Sequence, residues 1–283
     1  MKNNTFNAVV LAGDRGPSDP LVQAARVSAK ALVTVGGRAM ILRVLDVLLA
    51  SPRVGQIVVV GPNEAAREEC TELNALIDAG KVHWLAPEQG PSASAERGLE
   101  YFSAQNTAEN ANVPTLITTA DHALLTQAMV EDFLLEAEHL KGADVVAAMV
   151  EKEAAEAALP GSRRTGLKFS DGIYCGCNLF AVMTSKGRRA ISFWRKIEHL
   201  RKKPVKLLGA IGWRQALFFR LGRLSLPEAL QHLGSKTSCR ARIAHLSHPL
   251  AAADVDSAQD WKLAGRYLRE NPNHGNEQAQ AIS

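Results

Sequence analysis

The sequence predicts an α/β fold in which a mixed, mostly parallel β-sheet is flanked by helices. Short apolar runs alternate along the chain with segments in which apolar residues recur at helical spacing. Glycine or proline follows several of these runs and marks where strands end. With 283 residues, of which 46% are hydrophobic and 22% charged, the chain can bury the core of one large domain.

The composition excludes several classes of protein. The four cysteines lack the spacing of a disulfide framework. No apolar run is long enough to span a bilayer, and residues 1–5 lack the apolar core of a signal peptide. We therefore expect a soluble, cytoplasmic protein with a mild formal charge of +4.

The first strand leads into a glycine-rich loop. Residues 8–16 read Ala-Val-Val-Leu-Ala-Gly-Asp-Arg-Gly, an apolar run followed by glycine and polar residues. Because glycine has no Cβ, backbone N–H groups in such a loop can approach an anion closely. Residues 30–41 then place Lys30 before an apolar strand, a Gly-Gly turn and an amphipathic helix. This order predicts a phosphate-binding loop followed by a lysine.

These two segments resemble the MobA-like NTP transferase family, the nucleotidyltransferases typified by the molybdenum-cofactor guanylyltransferase. Members open with Leu-Ala-Gly-Gly, a variable loop, Lys-x-Leu and Gly-x-x-Met-Ile. Here Asp14 replaces the second glycine, and the loop between Gly16 and Lys30 is longer. The resemblance implies a Rossmann-like fold of the GT-A type, with Lys30 and Arg15, or alternatively Arg26, as catalytic residues. The residues that it implies for nucleotide binding here are Leu11, Ala12, Gly13, Asp14, Gly16 and Lys30.

The next elements continue the alternation. The helix that begins at residue 41 ends near residue 51, and residues 56–62 form a second buried strand that stops at Gly-Pro. Residues 64–78 predict a charged surface helix, and residues 82–85 a third strand. Ligands in such sheets bind at the carboxyl ends of the strands, where the glycine-rich loop lies.

A Gly-Pro-Ser loop follows the third strand and opens a helix. Its free N–H groups and hydroxyls could contact a base or a ribose, and the resemblance implies that this loop helps to read the base. Gly90, Ser92 and Ser94 are therefore candidate nucleotide-binding residues. The alternative is that Ser92 or Ser94 only caps the helix.

Asp121 follows the apolar strand that begins at residue 114, and a helix starts at Thr126. A carboxylate there faces the same crevice as the glycine-rich loop, where Mg²⁺ can combine one or two carboxylates with phosphate oxygens and water. The resemblance implies that Asp121 binds the metal; the alternative is a helix cap or turn former. His122, beside this carboxylate, could also ligate the metal, but we favour a hydrogen-bonded histidine that supports the site without ligating the metal.

Residues 143–150 predict another strand and residues 151–158 a short helix, followed by a β-hairpin over residues 163–180 with an Asp-Gly turn. By the resemblance, the segment that ends at Asn178 lines the acceptor side of the crevice. Arg164 and Lys168 then become candidates, with Asn178, for binding the acceptor, because lysine and arginine suit a phosphate group.

Residues 186–223 are strongly basic, with twelve Lys or Arg and one acidic residue, Glu198. We predict a basic helical insertion over residues 186–240, inside a nucleotidyltransferase domain over residues 1–270, and a disordered tail over residues 271–283. The insertion could pack an apolar face on the sheet and leave a solvated basic face. It could instead receive an anionic acceptor or rest on an anionic membrane. The spacing of its aromatic residues does not favour nucleic acid.

A second metal ligand is expected late in the chain, after a strand over residues 241–247. The family closes its catalytic domain with an Asp-x-Asp motif, which residues 254–256 match. The resemblance implies that Asp256 meets the metal, with Asp254 as the alternative. Capping of the helix from Ala258 by Ser257 or Asp256 would be the purely structural explanation.

The resemblance implies that the protein transfers a nucleoside monophosphate from an NTP, CTP or GTP, to a phosphorylated acceptor and releases pyrophosphate. The cofactor would be Mg²⁺, held by Asp121 and Asp256, and the acceptor a small molecule or a lipid-linked phosphate. Two alternatives remain open: a GT-A-type glycosyltransferase, and a nucleotide-binding, membrane-associated protein without catalysis. Pyrophosphate release would distinguish them.

Overall fold

The computed structural model describes residues 6–13, 16–105, 113–198 and 213–274. An eight-stranded sheet forms its centre, and a separate two-stranded ribbon lies beside it. The strands are β1 (Phe6–Leu11), β2 (Thr34–Val35), β3 (Arg38–Ala39), β4 (Val54–Val60), β5 (His83–Leu85), β6 (Thr115–Thr119), β7 (Val145–Glu151), β8 (Leu167–Phe169), β9 (Gly172–Val182) and β10 (Ala241–His245).

Eleven α-helices are seen over the described residues. They are α1 (Pro20–Ala25), α2 (Met40–Ala50), α3 (Glu64–Glu68), α4 (Thr71–Asp78), α5 (Pro91–Ala104), α6 (Gln127–His139), α7 (Lys152–Ala158), α8 (Arg188–Ile197), α9 (Trp213–Arg220), α10 (Leu226–Thr237) and α11 (Ala258–Glu270). None of these helices is long and apolar enough to cross a bilayer.

The large sheet has the order β10-β7-β9-β6-β1-β4-β5, and β8 pairs with β9 at its side. Strands β6, β1, β4 and β5 are mutually parallel, and so are β7 and β10. Strand β9 runs antiparallel to β6, β7 and β8. The predicted mixed, mostly parallel, Rossmann-like sheet is therefore confirmed.

Both faces of the sheet are buried, as a central parallel strand requires. Alternate residues of β1 belong to two different clusters: Val10 packs in the cluster that contains helices α2 and α6, while Val9 packs in the one with α5 and α8. Helix α5 approaches β1 so closely that a Cβ on Gly98 would lie 2.6 Å from Val9. Helix α5 is therefore fixed above the first strand.

Several local predictions differ from the structure. The single helix predicted over residues 64–78 is two helices, α3 and α4, separated at Cys70. Helix α5 is capped by Gly90 and not by Ser92 or Ser94, because neither hydroxyl makes a capping hydrogen bond. The late strand ends at His245. The helix predicted to start at Thr126, in contrast, does so, with Thr126 as its N-cap.

The basic segment is described only in part. Helix α8, helix α9 and helix α10 fall within residues 186–240, whereas residues 199–212 lie outside the described residues. Most of the tail predicted over residues 271–283 also lies outside them, since the description ends at residue 274.

Candidate active site

A cavity of about 460 Å³ opens where the carboxyl ends of β1 and β6 meet strand β9. Ligands bind at this edge in sheets of this kind, because the loops that leave the strands diverge there. The loops after β1 and β6 bring Gly13 and Asp121 to the cavity, and β9 contributes Asn178. Lys30 and Asp256 reach it from segments far apart in the chain.

Lys30 is the centre of a charged cluster in this cavity. Its Nζ donates to Oδ2 of Asp121 at 2.6 Å and to Oδ1 of Asp256 at 2.5 Å. Burial by itself would lower the pKa of Lys30, but the two carboxylates outweigh it and the pKa is raised. The lysine is therefore a fixed cation, held between the two residues predicted as metal ligands.

Asp121 is oriented by its own strand. The hydroxyl of Thr119 donates to Oδ1 of Asp121 at 2.5 Å, so that the two carboxylate oxygens have different partners. The carbonyl of Asp121 accepts from the backbone N–H of Val255 at 3.0 Å. This backbone bond places the segment that carries Asp256 directly beside the end of β6.

Asp254 forms a second charged pair next to the first. Its Oδ1 accepts from Arg164 at 2.5 Å, and its Oδ2 accepts from the amide of Asn178 at 3.2 Å. Burial and the nearby charges of Asp121 and Asp256 raise the pKa of Asp254 to about 6, against the opposing effect of Arg164. Three carboxylates thus share this region with two cations.

His122 comes directly after Asp121 in the chain but does not line the cavity. The side chain is buried, and burial lowers its pKa to about 4, so the imidazole is neutral near pH 7. Neither ring nitrogen has a hydrogen bond of ordinary geometry, and the charge of Asp121 and the backbone of Ala251 oppose the effect of burial on the pKa without outweighing it. His122 is therefore a buried neighbour of Asp121 in the chain, outside the cavity wall.

The glycine-rich loop lies at the cavity only in part. Leu11 and Gly13 line it, whereas Ala12 is buried behind them and donates to the carbonyl of Val60 at 2.9 Å. Gly16 is described but does not line the cavity. Asp14 and Arg15, the predicted nucleotide-binding and catalytic residues of this loop, lie outside the described residues.

The Gly-Pro-Ser loop forms another part of the cavity wall. Gly90, in the left-handed region with φ +102°, and Ser94 line the cavity. The Ser94 hydroxyl accepts from the N–H of Glu88 at 3.1 Å, which closes the loop. Ser92 is buried, and both its hydroxyl and its N–H donate to the carboxylate of Glu198.

The candidate acceptor residues are not all brought together. Asn178 lines the cavity, and Arg164 contacts it through Asp254. Lys168 is exposed on β8 and does not line the cavity. Arg26, the alternative loop arginine, ends helix α1 and is also absent from the cavity wall.

Trp194 and Glu198 are among the residues at or beside the cavity that the sequence did not indicate. Trp194 of α8 lines the cavity, with its ring stacked on that of Phe180 at a centroid distance of 6.3 Å. Glu198 anchors the loop around Ser92. The available signal was that Glu198 is the one acidic residue in a basic segment, but no spacing rule connects it to a loop 106 positions earlier.

The donor chemistry of the cluster fits Mg²⁺. The described residues contain no preformed group of three His, Cys, Asp or Glu side chains that could hold a metal. Mg²⁺ does not require such a group, because it takes one or two carboxylates together with phosphate oxygens and water. Asp121 and Asp256 supply two carboxylates that face one cationic centre.

Comparisons with known proteins give a family model and solved structures that this chain matches. The family model described as MobA-like NTP transferase domain matches residues 8–256. A hypothetical transferase from Thermus thermophilus is 29% identical, with a TM-score of 0.71 over 90% of this chain and 99% of that chain. Among curated proteins, none matches the chain.

Two more distant solved structures share the fold. A 4-diphosphocytidyl-2C-methyl-D-erythritol synthase from Anaerococcus prevotii is 12% identical, with a TM-score of 0.54 over 94% of this chain and 99% of that chain. A CMP:2-keto-3-deoxy-manno-octonic acid synthetase in complex with CTP is 11% identical, with a TM-score of 0.53 over 94% and 98% of the two chains. At these identities the likeness concerns the fold alone.

Proposed function

The chain belongs to the family of MobA-like NTP transferase domains, and we propose that it moves a nucleoside monophosphate from an NTP to a phosphorylated acceptor. The observation that carries this proposal is the lysine held between two carboxylates at the carboxyl edge of the sheet. A nucleoside triphosphate with its metal brings both an anion for the lysine and a cation for the carboxylates. The contacts between Lys30 and the two carboxylates can therefore be exchanged for contacts of the lysine with phosphate and of the carboxylates with the metal.

The reaction joins two anions, so its main barrier is electrostatic. An oxygen of the acceptor phosphate attacks the α-phosphorus of the NTP, the bond to the β-phosphate oxygen breaks, and pyrophosphate leaves with the electron pair. Lys30 would stabilise the negative charge on the α-phosphate, and the backbone at Gly13 would position the triphosphate. Asn178 and Arg164 would orient the acceptor, the latter through Asp254.

Asp121 and Asp256 would hold Mg²⁺, with Thr119 fixing one oxygen of Asp121. The metal would add positive charge beside the phosphates and hold them in line. The loop of Gly90 and Ser94 would contact the base or ribose, and Arg15 would act from the glycine-rich loop. The names of the two distant structures make CTP the first nucleotide to test, with GTP the second.

We further propose that the acceptor is a small phosphorylated molecule or a lipid-linked phosphate, and that the basic segment gives the protein peripheral contact with an anionic membrane. What supports this proposal is the charge of residues 186–223, with twelve basic residues against one acidic residue. Nucleic acid is not a proposed partner.

The decisive experiment is pyrophosphate release with each NTP, a panel of sugar, polyol and lipid-linked phosphates, and Mg²⁺ present or removed by EDTA. We expect release only when the NTP, an acceptor and Mg²⁺ are all present. A glycosyltransferase would instead consume a nucleotide-sugar without pyrophosphate release, and a protein without catalysis would bind NTP and release nothing. Either result would overturn the proposal.

A further inference from the structure

The cavity continues from its charged floor to an aromatic wall outside the phosphate-binding groups. Trp194 and Phe180 line this wall with their rings 30° apart, and Ile117 lies in the strand beside them. Both aromatic side chains are only half-buried. Their exposed faces therefore present apolar surface to whatever occupies the cavity.

Helix α8 is fixed in the position that creates this wall. Glu96 of α5 accepts from Ser192 at 2.5 Å and from Arg195 at 2.7 Å. Farther along, the carboxylate of Glu198 accepts from Ser92 at the N-terminus of α5. Helix α8 is thus attached to α5 at two levels, and Trp194 lies between Ser192 and Arg195, which both contact Glu96.

The sheet order separates Phe180, on which the ring of Trp194 stacks, from the strands whose loops would contact the nucleotide. The loops that would contact the nucleotide follow β1 and β5, whereas Phe180 belongs to β9. Strand β6 separates β9 from β1. Asn178 lies two positions before Phe180 on β9 and both line the cavity, so the aromatic wall adjoins a residue proposed to orient the acceptor.

On this basis, and resting on the proposed function, we propose that the acceptor carries an apolar group on its phosphate and that Trp194 and Phe180 bind that group. The charged floor would receive the phosphate, and the aromatic wall would receive an alkyl or unsaturated chain. A polyol phosphate would leave these rings in contact with hydroxyl groups or water, and would gain nothing from them. Trp194 is then a specificity-determining residue.

The test compares two phosphate monoesters of similar charge, n-hexyl phosphate and glycerol 3-phosphate, by calorimetry with and without a non-reacting CTP analogue. We expect the wild type to bind hexyl phosphate at least ten-fold more tightly. Trp194→Ala should reduce this preference to three-fold or less, and Phe180→Leu provides a second variant if the first does not fold. Phe218→Ala is the matched control, because Phe218 is an exposed aromatic residue of the basic segment outside the cavity wall.

Tryptophan fluorescence gives a readout that does not depend on turnover. Hexyl phosphate should change the emission of the wild type, and Trp194→Phe should abolish that change although the other three tryptophans remain. Equal affinities of the wild type for the two phosphates, or an undiminished preference in both Trp194→Ala and Phe180→Leu, would overturn the inference. Pyrophosphate release with polyol phosphates alone would overturn it too, while leaving the proposed transfer reaction in place.

Discussion

Lys30 and Asp256 lie 226 positions apart, yet the lysine Nζ is 2.5 Å from the aspartate Oδ1. The same Nζ contacts Asp121 at 2.6 Å, so one cation joins the start, the middle and the end of the domain. This contact closes the charged cluster on which the proposed chemistry depends. Each member of the cluster can be tested separately, because removing one changes the local charge in a known direction.

Lys30→Ala should lower kcat/KM for the NTP. The variant loses one preorganised positive charge at the α-phosphate, a change of roughly 2–4 kcal/mol in transition-state stabilisation. Steady-state pyrophosphate release at subsaturating NTP measures it. Lys236→Ala, in an exposed residue of α10, is the control and should behave as the wild type. Equal activity of the two variants would reject the role of Lys30.

Asp121→Asn should reduce turnover by orders of magnitude with little loss of stability. The substitution removes one of three carboxylates that share two cations, so the loss of the Lys30 contact is offset by reduced repulsion. Thermal unfolding should show a midpoint close to or above that of the wild type. Asp78→Asn on the exposed end of α4 is the control. Turnover like that of the wild type with Mg²⁺ present would contradict metal binding by Asp121.

Glu198→Ala should weaken NTP binding more than it slows turnover. Its carboxylate accepts from the N–H of Ser92 at the N-terminus of α5, where a negative charge is favourable. Losing a charged hydrogen-bond partner there costs about 1.5–3 kcal/mol, part of which should appear as a higher KM for the NTP. Glu198→Gln keeps a hydrogen-bond acceptor but loses the charge. Its KM for the NTP should therefore lie between those of the wild type and Glu198→Ala. An unchanged KM in both variants would show that the loop is positioned without Glu198.

Reversing basic charges should abolish binding to anionic vesicles if the basic segment contacts a membrane. We choose Lys196, Arg201 and Lys202 for change to glutamate, and leave Arg195 unchanged because it pairs with Glu96. Each lysine or arginine near such a surface contributes about 1 kcal/mol. Co-sedimentation with phosphatidylserine vesicles measures the effect, and added salt should weaken wild-type binding. A wild type that stays in the supernatant at low salt would exclude membrane contact.

The sequence by itself determined the class of fold and the family. Apolar runs and helical spacing follow the periods of strands and helices, so the alternation and the mostly parallel sheet could be derived locally. The motif around Gly13 and the lysine after it identified the family, which is now shown. The ends of the helices were predicted less well than the helices themselves. The break at Cys70 and the cap at Gly90 depend on which backbone groups find hydrogen-bond partners, and local spacing does not reveal that.

Only the tertiary structure decided how the site is assembled. Sequence patterns selected Lys30, Asp121 and Asp256 as separate motifs, but the folded chain joins them through one ammonium group. The positions of Trp194 and Glu198 follow from the packing of α8 on α5, which brings residues about a hundred positions apart into contact. Such contacts are set by the shapes of two helices against one sheet face, and no local rule of spacing contains that information.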